Sequence, residues 1–501
     1  MVTIHITSHN RQLTVPEGEN LLNVLQRSAL VTDAPCGGLG KCGKCRVLIR
    51  ENGEWISRLS CRTAVTRDME ISIPTPQKIQ VLHPQETGSF LFDPPEPGYS
   101  LAIDIGTTTV VCSLLDSATG KELAAASCQN PQSAFGADVI SRVQHQIKQG
   151  DDLLTRIIRD AIEDLIQKIT RDTSVDPRSI GLICVAANPS MEQLFLGMPL
   201  DNLVTVPFGP AILHTQFRPA APYLPSCSNA RLLVMPEVSG YVGGDTLSCL
   251  LAVPEEFYSE TSLLVDIGTN GEMVLSHQGQ LFTCSTAAGP ALEGAGIRMG
   301  MRGALGAIDH IRVQEGQPQV HVIGEVSAAG ICGSGLIDGA AFLLETGIIN
   351  TRGRMQQQVP GYEGQLRLFQ GDRAFYFTDQ VCMTQEDIRA FQLAKSAIAT
   401  GIQLMLEQAG IGPDALDRIY LAGAFGSFLD PQSACRTGLL PRLAPERITV
   451  LGNAAGSGAK RLARDRSALE QLDSLAGRIT FLELAELPGF RRCFGKNMNF
   501  R

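Results

Sequence analysis

Four cysteines fall within twenty-six residues near the N-terminus: Cys36, Cys42, Cys45 and Cys61. The first three read C-x5-C-x2-C inside the run APCGGLGKCGKC. This approaches the spacing of loops that wrap a [2Fe–2S] cluster, C-x4-C-x2-C followed by a distant fourth cysteine. Gly37, Gly38, Gly40 and Gly43 lie between the ligands, where the backbone must bend sharply and turn its N–H groups towards sulfide. A zinc site normally shows two C-x2-C knuckles or a Cys/His mixture; here there is one knuckle and no nearby histidine. Cys61 is the fourth ligand by exclusion, because the next cysteine is Cys112. The chemistry expected is single-electron transfer.

A second chemistry is written twice. LAIDIGT at 101–107 recurs as LLVDIGT at 263–269. Each copy reads as a buried strand that ends in an aspartate and a glycine turn, followed by another strand. In such a turn the glycine leaves room for a phosphate, and successive N–H groups and threonine hydroxyls donate to its oxygens. The strand-end aspartate suits Mg2+ held through water, since that ion takes few carboxylates and keeps several waters. Two such turns facing each other would grip the β- and γ-phosphates of a nucleotide from both sides. A third glycine-rich turn, LAGAFGS at 421–427, follows an expected strand at 418–421 and suits an adenosine lying against backbone. No Walker A run or protein-kinase motif set is present.

These motifs need elements to carry them. Residues 1–78 predict strands at 2–7, 12–15, 46–50 and 69–73 and a helix at 19–29 carrying Leu21, Leu22, Val24 and Leu25. This order suits a β-grasp ferredoxin-like domain. Six prolines between 74 and 98 mark a semi-stiff connection, with the linker placed at 79–98. Residues 99–501 read as a large α/β body of two lobes, the second phosphate motif lying at 265–271. A repeat 162 residues apart suggests two similar lobes rather than a solenoid. Helices are expected at 137–149, 152–171, 244–252, 385–409 and 454–471.

Composition narrows the function. The 501 residues carry a net charge of −9, which argues against a nucleic-acid partner. Residues 1–78 nevertheless hold ten Lys/Arg against seven Asp/Glu. Lys41, Lys44, Arg46, Arg50, Arg58, Arg62 and Arg67 surround the cysteines, either compensating an anionic cluster or forming a docking face for an acidic electron partner. No apolar run reaches the length of a membrane span, and no secretory signal opens the chain. The ten remaining cysteines, several in apolar segments, read as small buried hydrophobes in a reducing cytoplasm.

The two DIGT turns and the later AGAFG turn together resemble the nucleotide site of the superfamily of acetate and sugar kinases, heat-shock chaperone ATPases and actin, with RNase H-like lobes that close on ATP. The whole chain resembles a narrower family, the reductive activators of corrinoid-dependent enzymes. The pieces that carry this are CGGLGKCGKC, DIGTTT at 104–109, GADVISR at 136–142, GGD at 243–245, VDIGTNG at 265–271, AGPALEGAGIRMGMR at 288–302, ICGSGLID at 331–338, QLAKSAI at 392–398 and AGAF at 422–425.

The resemblance implies a [2Fe–2S] domain on an actin-like ATPase body, which delivers an electron to a partner's Co(II) corrinoid and couples that transfer to ATP. Residues and resemblance together give the expected roles. Cys36, Cys42, Cys45 and Cys61 ligate iron. Gly106, Thr107 and Thr108 cradle phosphate from one lobe, and Gly268, Thr269, Asn270 and Gly271 from the other. Asp104 and Asp266 hold Mg2+ through water or orient the attacking water. Gly423, Ala424, Phe425 and Gly426 shape the adenine side. Lys395 either reaches the nucleotide or is a surface lysine. Asp245 either serves the active site or caps a helix. The loop 289–303 either bridges the lobes or faces a partner, and Gly333-Ser334-Gly335 reads as a structural turn.

Two departures from the family stand out. The linker runs straight into Asp104 with no middle domain expected. ANPSM at 187–191 replaces a Gly-Asn-Thr segment, which touches an interlobe contact rather than the ATP site. The partners expected are a corrinoid protein of a methyltransferase system, an external electron donor and a second copy in a homodimer. The chain lacks the D-x-H-x-x-G run of many cobalamin modules, so the corrinoid belongs to the partner. The rival reading is a metabolite kinase of the same superfamily with a fused redox-sensing cluster.

Overall fold

The computed structural model describes the chain except for residue 29, 31–33, 35–37, 39, 41–43, 75–92, 94, 95, 137, 424–427 and 501. Cys36, Cys42, Ala424, Phe425 and Gly426 therefore lie outside the described residues, as does most of the expected linker.

The N-terminal unit is a five-stranded sheet in the order Arg11–Val15, Val2–Ile6, Met69–Ser72, Arg46–Glu51, Glu54–Leu59. Alternate residues Val2, Ile4 and Ile6 are buried along the first strand, the period-2 signature of a one-sided core. The helix Leu21–Arg27 lays Leu21, Val24 and Leu25 on that core. Asn20 caps it by accepting from Asn23 N at 3.4 Å. The strand Glu54–Leu59 is absent from the sequence expectations; its mostly exposed pattern removes the alternation by which strands are read from sequence.

The two repeats form matching lobes. Tyr99–Ile105 pairs antiparallel with Thr109–Asp116 and parallel with Ile180–Ala187. Ser262–Ile267 pairs antiparallel with Gly271–His277 and parallel with Arg418–Ala422. Each hairpin sits inside a six-stranded mixed sheet. Both repeat strands are apolar at almost every position because both faces are covered. Leu101, Ile103 and Ile105 pack into the first lobe's own core, and Leu263, Val265 and Ile267 into the second's. The alternate residues Ala102 and Leu264 meet in a third core between the sheets. Strand alternation then places Asp104 and Asp266 on that same interlobe side.

The third core is filled by the helices Gly244–Ala252 and Ala454–Arg464. They cross at Gly458, where a Cβ would collide with the Ser248 carbonyl oxygen; only glycine permits this crossing. The helix expected over 454–471 is broken. Asp465 is extended and caps a separate helix, Arg466–Arg478, by accepting from Ser467 N at 2.9 Å. Its short acceptor competes well with helix continuation.

Candidate functional site

A cleft of about 260 Å³ opens between the lobes where the two DIGT turns meet. Its lining includes Asp104, Gly106, Thr107, Thr108, Asp245, Asp266, Gly268, Thr269, Asn270 and Gly423. Ten of the residues expected around a nucleotide, drawn from four separate stretches of chain, thus share one cavity.

The turns are built tightly. Gly106 N donates to Thr109 O at 3.0 Å and Gly268 N to Asn270 O at 2.9 Å. A Cβ on Gly106 would lie 2.8 Å from the Thr109 carbonyl oxygen. Gly423 takes φ +95, and a Cβ there would lie 2.7 Å from Asp266 Oδ1. Gly423 therefore rests directly against the second aspartate, a contact open only to glycine.

Behind the first turn stands Arg142, buried at 1% exposure. Its Nη1 donates to Thr107 O at 2.6 Å and its Nε to Gly136 O at 2.9 Å. Asn130 Nδ2 donates to Gly106 O at 2.9 Å. Asn188 lines the cleft and donates from Nδ2 to Thr107 Oγ1 at 3.3 Å. The departure at 187–191 therefore touches the phosphate turn itself, against the expectation that it spares this site. Asn188 also caps the helix Pro189–Leu196.

Asp104 Oδ2 accepts from Asn453 Nδ2 at 2.8 Å, and Asn453 in turn caps the helix Ala454–Arg464. Asp266 Oδ2 accepts from Cys249 Sγ at 3.5 Å. Asp245 lies in the first turn of the helix Gly244–Ala252 and lines the cleft; the N-cap is Gly243, so Asp245 does not cap this helix as one reading expected. Burial pushes the Asp104 carboxyl up to about 7, offset in part by Asn453 and reinforced by the charges of Asp266 and Asp245. Burial likewise raises Asp266 to about 6. Asp245 and Glu272 move upward for the same reason.

The cleft is thus acidic: Asp104, Asp245, Asp266, Glu272 and Glu293 line it, with Arg302. A polyphosphate enters such a site only with a cation. Among the described residues no three His, Cys, Asp or Glu side chains converge on a metal by themselves. The donor set therefore fits Mg2+ carried on phosphate, with water and one or two carboxylates completing its shell.

This gives a signed pH prediction. The ordinary aspartate value is 3.8, while Asp104 and Asp266 hold their protons to about 7 and 6. Between those limits the fold binds more protons than the unfolded chain, so stability falls as pH rises. Metal-free protein should lose melting temperature from about pH 4 to about pH 7. Mg2+ with ATP should reverse the loss at the upper end, because it stabilises the ionised carboxylates. A thermal-shift series with and without Mg2+–ATP reads both arms; a flat metal-free profile contradicts the expectation.

Lys395 is placed elsewhere. It is buried on the helix Gln385–Gln408, its Nζ donates to Asn499 O at 2.5 Å, and it lies 5.1 Å from the Phe500 ring centre. It anchors the C-terminal segment instead of reaching a nucleotide, and it is not a surface lysine. Gly271 lies behind the second turn, where a Cβ would come within 3.0 Å of Thr286 Oγ1. Gly333 and Ser334 begin the helix Gly333–Glu345 and line the cleft wall, a role beyond that of a plain turn.

Sequence reasoning misses Asn453 and Arg142 as site residues, and singles out Glu293 only as part of a loop that bridges the lobes or faces a partner. Asn453 could have been found, since an Asn between a strand and an alanine-rich helix is a capping signature. Glu293, with Arg298 and Arg302, is of a residue type suited to bridging the lobes or facing a partner. Its Oε2 accepts from Thr108 Oγ1, and its Oε1 accepts from Thr269 Oγ1 at 2.8 Å, so the loop 289–303 bridges the lobes.

In the N-terminal domain, Cys45 is buried and packs with Leu22, Ala34, Leu59 and Cys61. Gly38 takes φ +85, and a Cβ there would lie 3.9 Å from Cys61 Cβ. Cys61 therefore sits against Gly38, which lies between Cys36 and Cys42 in the sequence. Arg62 braces this loop by donating to Gly40 O at 2.9 Å. Arg50 and Arg58 pair with Glu70 and Glu51, and Lys44 Nζ donates to Gly300 O at 2.8 Å. Much of the basic surround is thus engaged by the chain itself. Of the later cysteines, all but the half-buried Cys128 are buried, and burial raises Cys128 to about 11 and Cys227 to about 12. Most are packing residues, while Cys249 donates to Asp266 and Cys332 lines the cleft. No helix among the described residues is long and apolar enough to cross a membrane.

A β-grasp cysteine domain and a duplicated, nucleotide-clefted α/β body define an iron–sulfur ATPase of the actin-like class. Comparison with known proteins agrees. Residues 4–66 match the family profile of a 2Fe-2S iron-sulfur cluster binding domain, 99–254 that of the RACo middle region, and 260–501 that of the C-terminal domain of RACo, the ASKHA domain. The chain is 30% identical over 580 aligned positions to the corrinoid activation enzyme RamQ of Eubacterium limosum, covering 98% of this chain and 97% of that one. It is 26% identical to a [Co(II) methylated amine-specific corrinoid protein] reductase of Methanosarcina barkeri, over 76% and 73% of the two chains. A solved structure of a reductive activator for corrinoid, iron-sulfur protein superposes with a TM-score of 0.75 at 27% identity, covering 100% of this chain and 98% of that one. The chain belongs to the family of reductive activators of corrinoid proteins. The match at 99–254 corrects the expectation that no middle region is present: the first lobe is that region.

Proposed function

We propose that this chain reduces the Co(II) corrinoid of a partner protein to Co(I) by one electron, in a step driven by ATP. The single observation that carries the reading is the convergence of both DIGT turns on one acidic cleft, in a chain that also presents Cys45 and Cys61 in a β-grasp domain. Its parts are a [2Fe–2S] domain at 1–78, a linker at 79–98 and an ATPase body at 99–501.

Cys36, Cys42, Cys45 and Cys61 would hold the cluster, which supplies one-electron chemistry when bound. Lys44 and Arg62 set the loop's position. Gly106, Thr107, Thr108, Gly268, Thr269 and Asn270 hold the phosphates, with Gly271 supporting the second turn. Gly423, Ala424, Phe425 and Gly426 border the adenosine. Asp104, Asp245 and Asp266 face the cation, and Asp104 or Asp266 orients the attacking water. Nucleotide binding between the lobes then changes the pose of the domains towards the partner. The corrinoid protein belongs to a methyltransferase system, electrons come from an external donor, and the chain acts in the cytoplasm as a homodimer.

The test mixes the anaerobic protein, a Co(II) corrinoid protein and a reductant, with and without ATP. Co(I) absorbance that appears only with ATP is the expected result. A phosphorylated small molecule in its place would establish the kinase reading, and equal Co(I) with and without ATP would reduce the body to a scaffold.

A further inference from the structure

The hydroxyls of Thr108 and Thr269 are the donors expected to meet phosphate from opposite lobes. Both are already engaged by a single carboxylate. Glu293 accepts from Thr108 Oγ1 with Oε2 and from Thr269 Oγ1, at 2.8 Å, with Oε1. It lines the same cavity as the two turns. A two-oxygen anion at the junction of two phosphate turns has the charge sign and donor set of a terminal phosphoryl group.

The segment behind it is compact and leads to the cysteine domain. Gly294 takes φ +77, and a Cβ there would collide with the Met301 carbonyl oxygen. A Cβ on Gly300 would collide in turn with the Gly294 carbonyl oxygen. The chain from 294 to 301 thus doubles back into one compact piece that runs from Glu293 to the Gly300 carbonyl. Its other contacts with the lobe are Arg298 N donating to Asp387 Oδ1 at 2.7 Å and Met301 N donating to Ile331 O at 2.9 Å. The Gly300 carbonyl receives Lys44 Nζ at 2.8 Å, and Lys44 precedes Cys45 in the chain.

We propose that Glu293 is a placeholder for the terminal phosphate of ATP: it latches the lobes together in the empty chain, and a triphosphate displaces it and loosens the Gly300–Lys44 contact. The inference rests on the ATP-site reading above and adds its regulation. A terminal phosphate needs the same two hydroxyls, and two anions cannot share them without strong repulsion. A diphosphate, one phosphoryl group shorter, leaves the carboxylate in place. ATP, and not ADP, then frees the cysteine domain to approach an acceptor.

The experiment compares full-length, cluster-loaded wild type with Glu293→Gln, which keeps the shape and removes the charge. Mg2+–ATP and Mg2+–ADP affinities are measured by calorimetry. Lys44 reactivity towards an amine-acylating reagent is read by mass spectrometry. The substitution should tighten ATP about tenfold, the effect of about 1.4 kcal/mol, and change ADP less than about twofold. In wild type, ATP should raise Lys44 labelling and ADP should not; in Glu293→Gln, labelling should be high without nucleotide. ATP affinity that is unchanged or weakened by the substitution, or ATP and ADP shifted alike, overturns the latch. Wild-type Lys44 labelling indifferent to ATP overturns it without recourse to any variant. Neither readout involves a corrinoid, so failure of cobalt reduction with intact ATP selectivity sinks the functional reading and leaves the latch standing. Binding of neither nucleotide sinks both.

Discussion

Cys45→Ser and Cys61→Ser should each lower ATP-dependent cobalt reduction by more than about a hundredfold, since even groups one step removed from a metal ligand are worth about 10–100-fold. Cys45 is 1% exposed and packed with Leu22 and Ala34, and Cys61 lies against Gly38. Neither belongs to the domain's main core, which is built from Ile4, Ile6, Leu21, Val24, Leu25, Val47, Ile49 and Ile71. The variants should therefore keep the sheet while losing iron and sulfide. Their ATP hydrolysis should remain close to wild type, because every residue around the cleft belongs to the body. Metal and sulfide assays, circular dichroism and a Co(I) trace separate these outcomes. Full iron and sulfide content in both variants would refute the ligand assignment.

The second large effect is expected at the strand-end aspartates. Asp104→Asn and Asp266→Asn should each cut ATP hydrolysis, and with it ATP-dependent reduction, by about a hundredfold or more, the range for a residue that handles a proton or orients water. The substitution is nearly isosteric. At position 104 the oxygen of the new amide can still accept from Asn453 Nδ2, which now reaches Asp104 at 2.8 Å. Stability should move the other way. Burial and neighbouring charge disfavour the ionised Asp104, so at about pH 8 without metal the neutral amide removes a penalty carried by the wild type. The melting temperature of metal-free Asp104→Asn should rise by about 2–4 °C at that pH, and its response to Mg2+–ATP should shrink. Loss of activity with gain of stability is the signature of a site strained for function. A variant that loses both would mark Asp104 as a structural residue.

Local pattern explains what is readable without coordinates. The cysteine spacing, the glycine-bounded turns and the doubled strand LxxDIGT are properties of five to ten consecutive residues, and their physics is local. Gly38 and Gly40 adopt positive φ in the cluster loop, as the glycine-rich spacing implies. Both DIGT strands are apolar on two faces because each lies between two cores, a demand that shows directly as an unbroken hydrophobic run. The helix expected over 454–471 fails at a local boundary, because a capping aspartate at 465 leaves the helical periodicity largely undisturbed.

The remaining features join residues that no local rule connects. Glu293 meets Thr108 across 185 positions, Asn453 meets Asp104 across 349, and Lys395 meets Asn499 across 104. A buried polar group must find a partner, but its sequence does not name which one. Lys395 shows the consequence: a lysine near a nucleotide motif has the right charge for phosphate, and packing turned it to a C-terminal carbonyl. Residue types and short spacings therefore prescribed the two chemistries, electron carriage and phosphate binding. The closing of two sheets on one set of interlobe helices chose which carboxylates face the cleft and which of them already fills the place of a phosphate.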